Sequence, residues 1–122
     1  MNKSIVLDLP FLPDKSLSPN GRAHWRERKR HADSMSDSVI ARVREHDRAT
    51  IDPCKVVYHV RWCGKASDRD NFIASMKPAL DALVHTGIIV DDAPGHLHGI
   101  EVTYERVKHR NETGVRIEIG EV

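Results

Sequence analysis

"SDRDNFIASMKPALDALVHTGIIVDD", residues 67–92, decides how the chain folds. Its middle is amphipathic: Phe72, Ile73, Met76, Ala79, Leu80, Leu83 and Val84 recur at helical spacing and form one apolar stripe. Asp68 or Asp70 is placed to cap that helix, because a carboxylate accepts the N–H groups the first turn leaves unpaired. Gly87 ends it. Pro78 lies inside and removes one backbone hydrogen bond, which predicts a kink after the first two turns. Ile88–Val90 then reads as a brief buried strand running into Asp91-Asp92.

Working outward, Cys54–Trp62 (CKVVYHVRW) precedes the helix and is strand-like, rich in Val, Tyr and Trp. Ser4–Leu9 is a strand stopped by Pro10, followed by a loop through Ser18-Pro19-Asn20. From His24 to about His46 a second helix is expected, with Trp25, Ala32, Met35, Val39 and Val43 on one stripe, which favours a core role for Trp25 over the alternative of stacking on an unpaired base. His98–Val107 and Val115–Ile119 alternate as strands, and Asn111–Gly114 reads as the hairpin turn between them. The order β, α, β, α, β, β, β predicts an α/β (α+β) fold: one domain over residues 1–122, with a mixed sheet and two main helices.

A chain of 122 residues buries about two thirds of its unfolded surface, enough for one core. No apolar run approaches the roughly 20 residues of a membrane span, and MNKSIVLDLP lacks a signal-peptide core, so a cytoplasmic protein is expected. Cys54 and Cys63 form neither a disulfide framework nor a zinc motif and read as reduced thiols. Nothing in the chain points to a small-molecule cofactor.

The net charge of +1 is uneven: residues 1–50 carry ten Lys/Arg against seven Asp/Glu, and the remainder nine against eleven. Arg22, Arg26, Arg28, Lys29 and Arg30 cluster within eleven residues and form a candidate phosphate-binding group; the same run also reads as a solvated helix face. Arg69, between two aspartates, is a further candidate contact.

At about 100° per residue, Asp70, Ala74, Lys77 and Asp81 share one edge of their helix. Asp68 reaches the same space, and a strand end can bring Asp92 beside it. Three carboxylates meeting at one point need a cation, and hard oxygen donors suit Mg²⁺ or Mn²⁺. Such an ion beside a basic surface points to phosphodiester hydrolysis. The plain readings stand alongside: Asp68 and Asp70 as caps, Lys77 and Asp81 as an ordinary i,i+4 pair, Asp91-Asp92 as turn acids. His96 and His98, two apart, read as polar edge residues or DNA contacts rather than metal ligands.

The pattern Asp68-Arg69-Asp70-Asn71, Lys77, Asp81-Ala82-Leu83, Gly87, Asp91-Asp92 resembles the RusA-type Holliday-junction resolvases, small endodeoxyribonucleases of bacteria and their phages. The first strand ending in proline, the Ser18-Pro19-Asn20 loop and the basic helix start are also similar to that family. The resemblance implies a homodimer with a mixed sheet in each subunit. It implies Mg²⁺-dependent paired cleavage of four-way DNA junctions in recombination and repair, with Mn²⁺ as a substitute ion. It assigns metal ligation to Asp68, Asp70 and Asp92, and a catalytic role to these three and Lys77. The lysine departs from the pattern: Ala74 holds the place one turn after Asp70, and Lys77 lies two turns on. An inactive DNA-binding relative, or a less selective nuclease of flaps and other branches, is the alternative.

Overall fold

The computed structural model of the protein describes residues 3–20, 24–46 and 49–122. Strands β1 (Ser4–Leu9), β2 (Cys54–Trp62), β3 (Leu97–Arg106) and β4 (Gly114–Glu121) form one mixed sheet in the order β1-β4-β2-β3. Helices α1 (Trp25–Arg44), α2 (Arg69–Ser75) and α3 (Lys77–His85) complete the single small α+β domain. Among the described residues no helix is long and apolar enough to cross a membrane.

Alternation along the strands separates the two faces of the sheet. Leu7 and Leu9, Val56, Tyr58 and Val60, and Val115, Ile117 and Ile119 point to the helices and are buried. Each Leu or Ile so buried contributes about 1.5–3 kcal/mol of transfer free energy. The opposite face is polar and held by ion pairs of Lys55 with Glu101 and Arg61 with Asp8 at 3.2 Å, and by a hydrogen bond between His59 and Glu118 at 2.9 Å.

Helix α1 starts at His24, whose Nδ1 accepts the Arg26 N–H at 3.1 Å. It buries Met35, Val39 and Val43, spaced four apart, and packs on β1 and α3. Trp25 is not in the core. It is 63% exposed at the first helical position, with the Arg26 guanidinium 5.3 Å from its ring centre. The stripe fails there because the first two turns of α1 extend past the apolar surface that the rest of the helix covers.

Parallel strands need a long crossover, and α2 and α3 supply the one between β2 and β3. The expected kink is a break. Met76 separates the two helices, its N–H donating to Phe72 and Ile73 carbonyls at 3.1 Å, while Ala79 and Leu80 N–H donate to the Met76 carbonyl. Pro78, second in α3, sits where a helix start has no N–H partner to lose. Gly87 follows the end of α3 at φ +84°, a left-handed conformation that favours glycine.

Two expected elements are absent. Ile88–Val90 is not a strand. It folds back on the end of α3, with Ile89 N–H donating to the Leu83 carbonyl at 3.2 Å and Ile51 N–H to the Ile88 carbonyl at 2.9 Å. Ile88 and Ile89 are buried there, so their hydrophobicity reflects packing and not a ladder. Nor do β3 and β4 form a hairpin. β2 lies between them, parallel to β3 and antiparallel to β4, and residues 107–113 cross over its end through a short 3₁₀ turn at Arg110–Glu112.

Candidate metal and nucleic-acid site

Lys77 opens α3, and its ammonium lies 2.9 Å from Asp81 Oδ1 and 3.0 Å from Asp92 Oδ2. The Asp81 pair is the i,i+4 contact of one helix turn. The Asp92 pair spans fifteen residues and depends on the fold-back after Gly87. Hydrogen bonds to Asp81 and then Asp92 hold the Lys77 pKa above its ordinary value, and the bond from Lys77 holds the Asp92 carboxyl below its own. The chain therefore keeps the Lys77 ammonium and the Asp92 carboxylate charged together at an exposed edge.

Asp68 has a structural task. Its Oδ1 accepts the Asn71 N–H at 2.9 Å, capping α2, and its Oδ2 accepts the Asn71 side-chain amide at 2.7 Å. Asp70 is bare: its side chain is 94% exposed, with the Arg69 guanidinium 3.7 Å away. Arg69 turns to the sheet edge and donates to the Ile100 carbonyl at 3.0 Å, while staying half exposed.

Asp68, Asp70 and Asp92 are not gathered around one point. Among the described residues, the group of three ligand-type side chains whose donor atoms all lie within 4.8 Å is Asp14, Glu27 and His31. Topology explains the separation. Asp68 follows the C-terminal end of β2, and Asp92 precedes the N-terminal end of β3. In a parallel pair registered Cys54 to Leu97 and Trp62 to Arg106, these are opposite ends. Asp92 returns beside the start of α3, one length of α2 (about 10 Å) beyond Asp70.

Of the basic candidates, Arg28 and Lys29 line a cleft between α1 and the crossover helices, facing Ala74, Lys77, Pro78 and Asp81. Lys29 also pairs with Asp33 at 2.8 Å. Arg30 has a nitrogen 3.5 Å from His31, and Arg26 lies over Trp25. Arg22 lies outside the described residues. His96 Nδ1 is 2.8 Å from Asp52 Oδ1 and so ties down the loop before β3, while His98 is exposed on that strand. Cys54 is buried, which raises its thiol pKa, and Cys63 is half-buried; both are free.

As donors, the three acids fit a hard divalent cation. Asp92 is held ionised, Asp70 is free to turn, and each oxygen of Asp68 keeps acceptor capacity beyond its bond to Asn71. Mg²⁺ keeps several waters and takes one or two protein carboxylates, so a site need not draw on all three at once.

Sequence reasoning missed two groupings. Glu27 and His31 stand one turn apart on α1, a spacing visible in the sequence, but Asp14 joins them from a loop and left no signal. Trp62, Phe72 and Tyr104 surround a cavity beside Asp68. They meet because β2 and β3 run parallel with Val60 opposite Tyr104, which periodicity does not reveal. Compared with known proteins, the chain matches no family model and no curated protein.

Proposed function

We propose that this chain is a metal-dependent endodeoxyribonuclease of RusA type that resolves four-way DNA junctions as a homodimer in the cytoplasm. The observation that carries the reading is the cleft where Lys77, held between Asp81 and Asp92, faces Arg28 and Lys29 of α1. It sets a persistent ammonium beside carboxylates on one wall and phosphate-seeking cations on the other.

Each residue has a distinct task in this reading. Arg28 and Lys29 hold backbone phosphates of the DNA, with Arg26, Arg30, Arg22 and Arg69 extending the positive surface. Lys77 offers its charge to the phosphate as negative charge builds on it. Asp68 and Asp70 at the α2 end, or Asp92 at the α3 end, would supply the one or two carboxylates that Mg²⁺ or Mn²⁺ takes. When bound, that ion polarises the phosphate and makes hydroxide available near neutral pH. Two-fold symmetry suits the approximate two-fold axis of a junction.

A synthetic four-way junction incubated with protein in Mg²⁺, and again with chelator, tests the assignment. Paired nicks in Mg²⁺ and none with chelator are expected. Asp70→Asn is expected to abolish nicking while keeping or tightening junction binding, because it removes a negative charge that faces phosphates. Equal cleavage by Asp70→Asn and wild type removes the assignment.

The separation of Asp68 from Asp92 favours a second reading, a DNA-binding module without catalysis. Junction binding with no nicks in either Mg²⁺ or Mn²⁺ would select it. Comparing linear duplex, flap and junction substrates then separates junction resolution from a less selective branched-DNA nuclease.

A further inference from the structure

A cavity of about 350 Å³ opens between the C-terminal ends of β2 and β3, α2 and the loop before α1. We propose that it receives one unpaired nucleobase of the bound DNA strand, next to the Asp68–Asp70 segment. This inference rests on the nucleic-acid reading above and adds to it a site for a base.

The size is that of a small-molecule site, at the lower end of the usual range. The walls suit a flat aromatic guest. Trp62 and Tyr104 stand perpendicular, with ring centres 5.7 Å apart, and Phe72 lies 6.5 Å from Tyr104. A base that stacks on one of the perpendicular rings meets the edge of the other, the two favoured aromatic geometries together. Leu12 and Val60 supply apolar lining. Tyr104 is 37% exposed, a large aromatic left partly in water at the sheet edge.

The polar rim matches a nucleotide. Lys15 and Lys65 border the cavity, and among the described residues neither pairs with a carboxylate. The acid at the same rim, Asp14, is already engaged: its Oδ1 accepts the Ser16 N–H at 2.9 Å and lies 3.6 Å from His31. A strand whose base stacks against these rings has cations available for its phosphates.

Position gives the cavity its role. Ser67 and Asn71 line it, and both flank the acids of the candidate site. The Tyr104 hydroxyl lies 3.5 Å from the Ser67 carbonyl. A base held here carries the adjoining backbone past Asp68 and Asp70. Unstacking a base costs a few kcal/mol and least where it is already unpaired, so occupancy favours branch points over continuous duplex.

The test uses Trp25→Phe protein, in which Trp62 is the remaining tryptophan of the two. The probe is a synthetic four-way junction with an unpaired thymidine at the branch and an end label for anisotropy. Binding is expected to quench Trp62 emission. Adding Tyr104→Ala is expected to remove the quench and weaken binding about tenfold, the loss of one base–aromatic stack, whereas Tyr104→Phe keeps both. Thermal unfolding of each variant establishes that it is folded. If the junction binds with Trp62 emission unchanged, or if folded Tyr104→Ala quenches like its parent, the base pocket is overturned and the nucleic-acid reading stands. If the junction does not bind at all, the nucleic-acid reading fails and takes the pocket with it.

Discussion

The two ends of the crossover between β2 and β3 use their acidic residues in different ways. At the α2 end, Asp68 is pinned by both Asn71 donors and serves the backbone, while Asp70 points into water with little to hold it. At the α3 end, Lys77, Asp81 and Asp92 form a charged triplet whose ion pairs hold Lys77 and Asp92 in their charged states. One end is built by local helix capping. The other needs a fold-back that brings residue 92 to residue 77. A motif that looks continuous in sequence is thus two microenvironments, joined by a helix pair broken at Met76.

Removing the apolar anchor of one end should separate them. Phe72 is buried, 6.0 Å from the Tyr58 ring centre, and ties α2 to the sheet. Phe72→Ala is expected to cost about 3–5 kcal/mol in urea unfolding. In whatever fraction stays folded, Asp92 should still titrate low, because its partner Lys77 belongs to α3. Loss of that depression along with the anchor would mean the two ends form one cooperative unit, and the comparison would fail.

The next effect is on chemistry. If the α3 end carries the reaction, Lys77→Ala should lower junction cleavage by about 100-fold or more, the usual consequence of losing one charge-stabilising group. The unfolding midpoint should hardly move, since all three side chains of the triplet are well exposed. A large loss of stability with cleavage intact in the folded protein would make Lys77 a structural residue, and the two ends would then be alike.

How much of this was legible in the sequence follows from the range of each interaction. β2 was readable to the residue, and β1 likewise, because alternation and a stopping proline are local signals. The Lys77–Asp81 pair, the cap at Asp68 and the stop at Gly87 are local too, and all three are present. Sheet order was not readable. β4 comes last in the chain yet sits between β1 and β2, a pairing that no periodicity encodes, so the expected β3–β4 hairpin was wrong. Ile88–Val90 misled because a short apolar run with Ile88 and Ile89 buried looks the same whether it joins a ladder or covers a helix end. Trp25 misled because an apolar stripe gives the direction of a face without telling where the surface beneath it ends. The Lys77–Asp92 contact depends on the fold-back after Gly87, and the aromatic cavity on parallel pairing of β2 with β3; neither long-range arrangement leaves a local signal.

Within the α2 end, the two aspartates should differ in stability cost. Asp68→Ala removes a cap and leaves the Asn71 amide without its acceptor, and is expected to cost about 1 kcal/mol, with Asp68→Ser recovering part of it. Asp70→Ala should be nearly silent in the same unfolding experiment, as its side chain meets only an exposed arginine. Equal costs would show that Asp70 is held as firmly as Asp68.

The smallest effect is the titration of the α3 end. The Asp92 carboxyl lies below its ordinary value because Lys77 donates to it, so the pairing contributes in full above the ordinary carboxylate range. That contribution is lost as pH falls through the lowered value. Lys77 gives the opposite limit: its raised pKa keeps its contribution complete below the ordinary lysine range and releases it as pH rises through the raised value. Between the ordinary carboxylate range and the ordinary lysine range the Lys77–Asp92 pair should be insensitive to pH. Carboxyl-carbon NMR of Asp92 should therefore show a midpoint below the usual aspartate range that moves up in Lys77→Met. In Asp81→Asn the midpoint should stay low, since the bond from Lys77 to Asp92 does not depend on Asp81. An Asp92 midpoint that ignores Lys77→Met would show that the fold-back does not hold the pair together in solution, and the contrast between the two ends would then rest on Asp68 alone.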